Sequence, residues 1–376
     1  MIRDKITMEE IAMATSSKEF PPDLAFHVPY HPSVTEKDMR RAAELLVDYE
    51  VRAAETRKQN VKAFVTALDR RRKKLRSLLG AEHHFALQQF KGELQLEAIN
   101  EKKPPFGVKT DQAALVRIRS RRITNFLSKR GIKPEVVRET VAHLFDGLSL
   151  RTDVEAVGTL QLDEIVLPED PNPWVAFTPP FTGYSSGYTE VTIGYRVSRE
   201  YLSDTPAGQV GLIIRLDDGN SGESDSGAVY TDTQVSFWFQ APRAGLVEVV
   251  IDAQCGEGRH ELRLTNLWGF SSSSTTQRHF FMMRVHHPNV RNPSYSLASE
   301  FKHDDDEDDS FNEQHFFPGQ NVHTRLVSDG AIRAGEWVMI SAGCRTEDDS
   351  KANDMNIHSK STFVWFIKRV NVRMLE

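Results

Sequence analysis

Residues 134–166, PEVVRETVAHLFDGLSLRTDVEAVGTLQLDEIV, hold the reading that decides the fold. Up to Leu148 the apolar positions Val137, Val141, Leu144, Phe145 and Leu148 recur every three or four residues, as on a helix with Pro134 in its first turn. From residue 154 to 166 the apolar residues begin to alternate, and the period moves toward two. This switch predicts an α + β chain of two domains: an N-terminal helical bundle or long helical hairpin, then an all-β antiparallel sandwich of jelly-roll type. A length of 376 residues, beyond the roughly 250–300 at which one core stops growing, agrees.

Upstream, residues 1–34 read as an extended arm with a short helix near 6–14, because Pro21, Pro22, Pro29 and Pro32 exclude a helix over 20–32. Thr35, followed by Glu36 and Asp38, opens a long helix with negative charge at its positive end. Its stripe is Met39, Ala42, Leu46, Tyr49 and Ala53; it fades over 55–60, resumes at Val61, and ends at Gly80. Some 45 residues at 1.5 Å each make about 65 Å, so the helix either breaks near Asn60 or protrudes as an arm. Further helices are expected over 82–100, 111–129 and 134–148, which makes 35–150 a basic α-helical domain.

Downstream, 151–376 is expected to be an acidic all-β sandwich domain. Short β-rich runs at 191–197, 209–216, 235–239, 246–253, 261–264, 280–285, 322–327, 336–340 and 362–372 are separated by Gly, Ser, Asp and Pro. A weak echo runs through it. Arg243-Ala244-Gly245 precedes a strand that ends at Cys255, and Arg333-Ala334-Gly335 one that ends at Cys344. An alternating strand stands before each and an aromatic-rich strand after each. The module therefore reads as one sandwich or as two similar halves, about 174–292 and 293–376. Both cysteines are expected as buried thiols in equivalent central strands; a disulfide would need their Cα atoms about 5.5 Å apart.

Charge is divided along the same line. Residues 1–150 hold 28 Lys and Arg against 20 Asp and Glu, the remainder 19 against 33, and residues 51–150 alone 22 against 10. The densest cationic patches are Arg70, Arg71, Arg72, Lys73 and Lys74, and Arg117, Arg119, Arg121 and Arg122; they suit an anionic partner. Nucleic acid is one such partner, but the helix that would enter a groove, 134–148, sets Glu135, Glu139 and Asp146 against Arg138 alone.

Little points to catalysis. Gly183-Tyr184-Ser185-Ser186-Gly187 matches the nucleophile-elbow pattern, yet a strand-like run follows where that elbow needs a helix. Histidines 279, 286, 287, 303, 315, 323 and 358 show no metal-binding spacing and read as surface or turn residues. The run Asp304-Asp305-Asp306-Glu307-Asp308-Asp309 reads as a solvated loop; no cofactor is expected, calcium there being the only one its chemistry suits. Trp238, Trp337 and Trp365 fall in strands. Tyr184, Tyr188, Trp268 and Phe270 fall in Gly/Ser-rich stretches and are the candidate ligand-binding residues, as exposed aromatics on loops.

The expected function is that of a non-catalytic structural or interaction protein. Its helical part docks or self-assembles into a homo-oligomer or larger protein assembly, and its sandwich recognises a protein or carbohydrate ligand. A nucleic-acid-binding protein using the basic helices is the first alternative, a hydrolase on a jelly-roll scaffold the second. No apolar run nears the roughly 18 residues that span a bilayer, and no hydrophobic stretch follows Met1–Lys5, so a cytoplasmic protein is expected, with release as part of a particle left open.

Overall fold

The computed structural model describes residues 25–100, 112–141, 158–159, 173–193, 195–218, 224–266, 272–291, 294–305, 314–315, 319, 321–353 and 355–376. Its helices are α1 (Glu36–Asn100), α2 (Gln112–Ser128) and α3 (Pro134–Val141). Its strands are β1 (Ala25–His27), β2 (Gly158–Thr159), β3 (Val175–Phe177), β4 (Gly183–Ile193), β5 (Tyr195–Tyr201), β6 (Gln209–Asp218) and β7 (Ser224–Gln240). They continue with β8 (Leu246–Asn266), β9 (Ser272–His286), β10 (Ser294–Asp305), β11 (Gln314–His315), β12 (Asn321–Val327), β13 (Trp337–Asn353) and β14 (Met355–Leu375).

Two sheets form one sandwich. The first runs β1-β4-β7-β13-β9-β10-β2; the second runs β11-β8-β14-β6-β5, with β12 also on β8 and β3 also on β14. Every pairing is antiparallel except β10 with β2. Because side chains alternate across a strand, Val338, Ile340, Ala342 and Cys344 of β13 enter the interior beside Phe281, Met283 and Val285 of β9. Val247, Val249, Ile251 and Ala253 of β8 and Trp365 of β14 come from the second sheet.

The echo has a spatial counterpart. β13 lies between β7 and β9, while β8 lies between β12 and β14. Each three-strand unit thus gives its middle strand to the sheet that holds the outer strands of the other. The two Arg-Ala-Gly turns meet: Gly245 and Ile332 exchange backbone hydrogen bonds of 3.0 and 2.8 Å. The two three-strand units therefore interleave across the two sheets. Cys344 sits opposite Phe281 and Cys255 opposite Trp365, and the two rings meet edge-on at 5.4 Å. Both cysteines are buried, and neither is in a disulfide.

Beyond this apolar zone the interior turns polar. Asp348 is fully enclosed and accepts from Gln277 (3.0 Å), Ser350 (2.6 Å) and Ser359 (2.5 Å), while burial raises its carboxyl pKa. His260 and His279 stack at 4.0 Å, and Ser299 bonds to both. His279 is thus an interior residue, against the surface or turn position its sequence suggested.

α1 is helical throughout Glu36–Asn100 except at Gly80, whose φ of 73° and ψ of 160° make the kink where a stop was expected. No break occurs near Asn60, because the polar residues around it are themselves good helix formers. The first turns of α1 lie on the outer face of the first sheet, hereafter the covered sheet; the second is the open sheet. On both sides of the kink, Leu75 and Leu79 before it and Leu87 after it join Ile123, Leu127 and Val137 in a separate helical core.

Candidate functional site at the helix–sheet junction

The strand parity that turns Phe281, Met283 and Ile340 inward turns Phe280, Met282, Arg284, Met339, Ser341 and Arg345 outward, toward α1. Trp238 and Met339 pack against Ala42, Leu46 and Val47 of the helix. Two turns along, the contact becomes ionic. Glu50 receives a short hydrogen bond from the Tyr230 hydroxyl and lies 3.4 Å from the Arg284 guanidinium, which lies 3.8 Å from Asp232. Arg345 donates to the Tyr49 hydroxyl at 2.6 Å and pairs with Glu347 at 2.6 Å. Both guanidiniums also face rings, Arg284 that of Tyr49 at 3.4 Å and Arg345 that of Tyr230 at 4.2 Å.

Burial pushes the Glu50 carboxyl up to about 7, and Asp232 pushes the same way; Arg284, the Tyr230 hydrogen bond and Arg345 oppose them. The helix approaches so closely that a Cβ on Gly187 would meet Glu50 Oε2 at 2.8 Å. Glycine there is a requirement of the docking.

Beside this clamp opens a groove of about 230 Å³, lined among others by Asp38, Arg41, Trp238, His286, His287, Glu336 and Trp337. Its imidazoles have assignable tautomers. Ser341 donates to Gln234 Oε1 at 2.6 Å, so it accepts from His286 Nε2 at 2.9 Å, which leaves His286 Nδ1 as an acceptor. His287 Nδ1 accepts from the Asn289 N–H at 3.3 Å, so its Nε2 donates to Glu336 at 3.2 Å. Burial pushes His286 down to about 3 and lowers His287, so both are neutral at pH 7. Gln234 in turn donates to Asp232 at 3.1 Å, and a polar chain therefore runs from the groove to Glu50.

Of the residues nominated from sequence, none of the described ones lines this groove. Tyr184 and Tyr188 lie within β4, a strand paired with β1 and β7, where a loop was expected. Tyr188 is buried in the sandwich interior, donates to Glu190 and carries Arg199 3.8 Å from its ring centre; burial and Glu190 raise its pKa. Trp268 and Phe270 lie outside the described residues, as do residues 306–309 of the acidic run. Ser185 of the elbow-like pattern is buried in β4, with no helix after it. Arg70, Arg72, Lys73 and Lys74 are exposed on α1, whereas Arg71 is buried. Arg117, Arg119, Arg121 and Arg122 lie on α2; Arg121 is exposed, and Arg122 stands 5.9 Å over the Phe90 ring.

Sequence reasoning missed Glu50, Arg284 and Arg345, since charged residues are read as surface unless a partner is visible. It also placed His286 and His287 among surface histidines, whereas both are 7% exposed at the junction. Trp238 and Trp337 were legible as strand residues; only the helix above them turns them into walls of a groove. Among the described residues no group of three or more His, Cys, Asp or Glu is placed to hold a metal ion, and no helix is long and apolar enough to cross a membrane.

No protein-family model and no curated protein matches the chain. Among solved structures it is similar to the carbohydrate-binding module TmCBM61 in complex with β-1,4-galactotriose, at 12% identity over 43% of this chain and 86% of that one, with a TM-score of 0.12. It is similar to a family 35 carbohydrate-binding module from Clostridium thermocellum at 12% identity, over 48% of this chain and 97% of that one, TM-score 0.12. It is also similar to the enzymatically active domain of bacteriophage CBA120 tailspike protein 4, at 8% identity over 45% and 19%, TM-score 0.12. Likeness at these scores assigns this chain no ligand and no residue role.

Proposed function

We propose that this is a non-catalytic structural or interaction protein with two working parts. The basic helical part, 35–150, docks it to copies of itself or to a larger protein assembly; the acidic sandwich, 151–376, of jelly-roll type, recognises a protein or carbohydrate ligand. One observation carries the reading. Val51 still packs at the sheet and Leu75 already belongs to the helical core, so about 36 Å of α1 separates the two. Beyond it Leu78, Phe85 and Ile118 are 46%, 63% and 54% exposed. Covering such side chains is worth roughly 1.5–3 kcal/mol each, which favours a partner surface over water. The charge surplus around them suits the acidic module of a neighbouring copy.

The test is the mass of the full chain by light scattering at micromolar concentration. The expected result is an oligomer that Phe85→Ser with Ile118→Ser reduces to monomer; a monomeric wild type overturns the reading. Nucleic-acid binding is the second reading, supported by the exposed Arg70, Arg72, Lys73 and Lys74. It expects DNA retention that falls steeply with salt and with charge reversal at those four positions.

A further inference from the structure

We propose that the groove between α1 and the turn after β9 binds a single neutral sugar ring, the terminal or branching pyranose of a glycan. This rests on the reading of the sandwich as a recognition module and names its ligand class and site. At about 230 Å³ the groove falls below the roughly 300–1,000 Å³ that encloses a drug-sized ligand, so it takes one ring rather than a chain of them.

Its walls supply the two kinds of contact a pyranose needs. Trp337, half-buried with the His31 ring 4.4 Å from its own, offers indole surface to the C–H face of a ring, and the buried Trp238 closes the floor. Hydroxyls, which both donate and accept, meet groups of both kinds. Asp38, Glu336 and the lone pair of His286 Nδ1 accept; Arg41 donates. Most of these are held in advance. Glu336 is fixed by His287 Nε2 at 3.2 Å and by the Arg333 N–H at 2.9 Å. Asp38 is fixed by the Thr35 hydroxyl at 2.6 Å, and His286 by Ser341. Orientation settled before the ligand arrives reduces the ordering cost of binding.

Charge narrows the class. With both imidazoles neutral, two carboxylates face one guanidinium, an arrangement that disfavours phosphate, sulfate and uronate, while an apolar ligand would strip these charges of water without replacing it.

The experiment is saturation-transfer NMR on the full chain with methyl glycosides of galactose, glucose, mannose and N-acetylglucosamine, and methyl glucuronide as the charged comparison. At least one neutral glycoside is expected to bind, with a dissociation constant on the order of 1 mM. Trp337→Ala and, with less effect on packing, Glu336→Gln are each expected to weaken it tenfold or more, leaving oligomer mass unchanged. Silence from every neutral glycoside at about ten times that concentration, preference for glucuronide, or wild-type affinity in Glu336→Gln would overturn the assignment. Because mass reports assembly and saturation transfer reports the groove, failure of one is distinguishable from failure of the other.

Discussion

The two outer faces of the sandwich both bury carboxylates among guanidiniums, and differ in whether any of the cations reaches water. On the covered face Glu50, Asp232, Arg284 and Arg345 are each at most 4% exposed beneath α1. On the open face Arg325, whose side chain is 61% exposed, pairs with Glu248, which also holds Arg373 against Trp174. Lys360 and Arg259 share Glu261, and His358 meets Asp217 at 2.9 Å. There the carboxylates Glu248 and Glu261 are themselves buried, but each holds two cations, so the loss of one leaves the charge still paired. Where the helix excludes water, each charge depends on the others, and the cover decides what an ion pair is worth.

The largest test of that contrast is Arg284→Met. It leaves Glu50 and Asp232 facing each other without water, and should cost about 3–5 kcal/mol in urea unfolding. Arg325→Ala on the open face should cost about 1 kcal/mol or less. Equal losses would break the comparison.

Next comes pH. The folded-state Glu50 value of about 7 exceeds its ordinary 4.5, so between these values the folded form binds more protons than the unfolded. The contribution is fully present below pH 4.5 and is lost as pH rises through about 7. The loss is on the order of 3 kcal/mol, one pKa unit being about 1.4 kcal/mol. Glu50→Gln, which can still accept from Tyr230, should flatten the stability profile between pH 5 and 8. An unchanged slope would put the titration elsewhere.

Gly187→Ala should then cost about 1–3 kcal/mol, because its methyl meets the buried Glu50 carboxylate. Combining it with Glu50→Ala should give less than the sum of the two losses. Smallest is Gly80→Ala, about 1 kcal/mol from a backbone conformation nearly confined to glycine. It should lower the melting of the helical core and leave the sandwich transition in place.

Sequence made the strands visible only where their inward residues are apolar. The run 246–253 declares itself, but β8 continues to Asn266, because the interior it enters there is lined by His260, Gln277, Asp348 and Ser359. Polar interior positions erase the period-two signal while the backbone ladder goes on. The start of β4 was hidden as well: its glycine, serine and tyrosine look like a loop until a helix lies close above them, and only its end fell in the run 191–197. α1 was legible because its stripe and Gly80 are local signals. The groove was not, since Asp38, His287 and Trp337 meet only through tertiary packing.

The exchanged middle strands set a timetable for synthesis. β7 must wait for β13, which lies roughly 100 residues further along, and at about 5–20 residues per second the ribosome needs on the order of 5–20 s to deliver it. During that interval the facing edges of β7 and β9 stand unzipped, a template for pairing with a neighbouring nascent chain. A protein built this way has to be guarded while it is made.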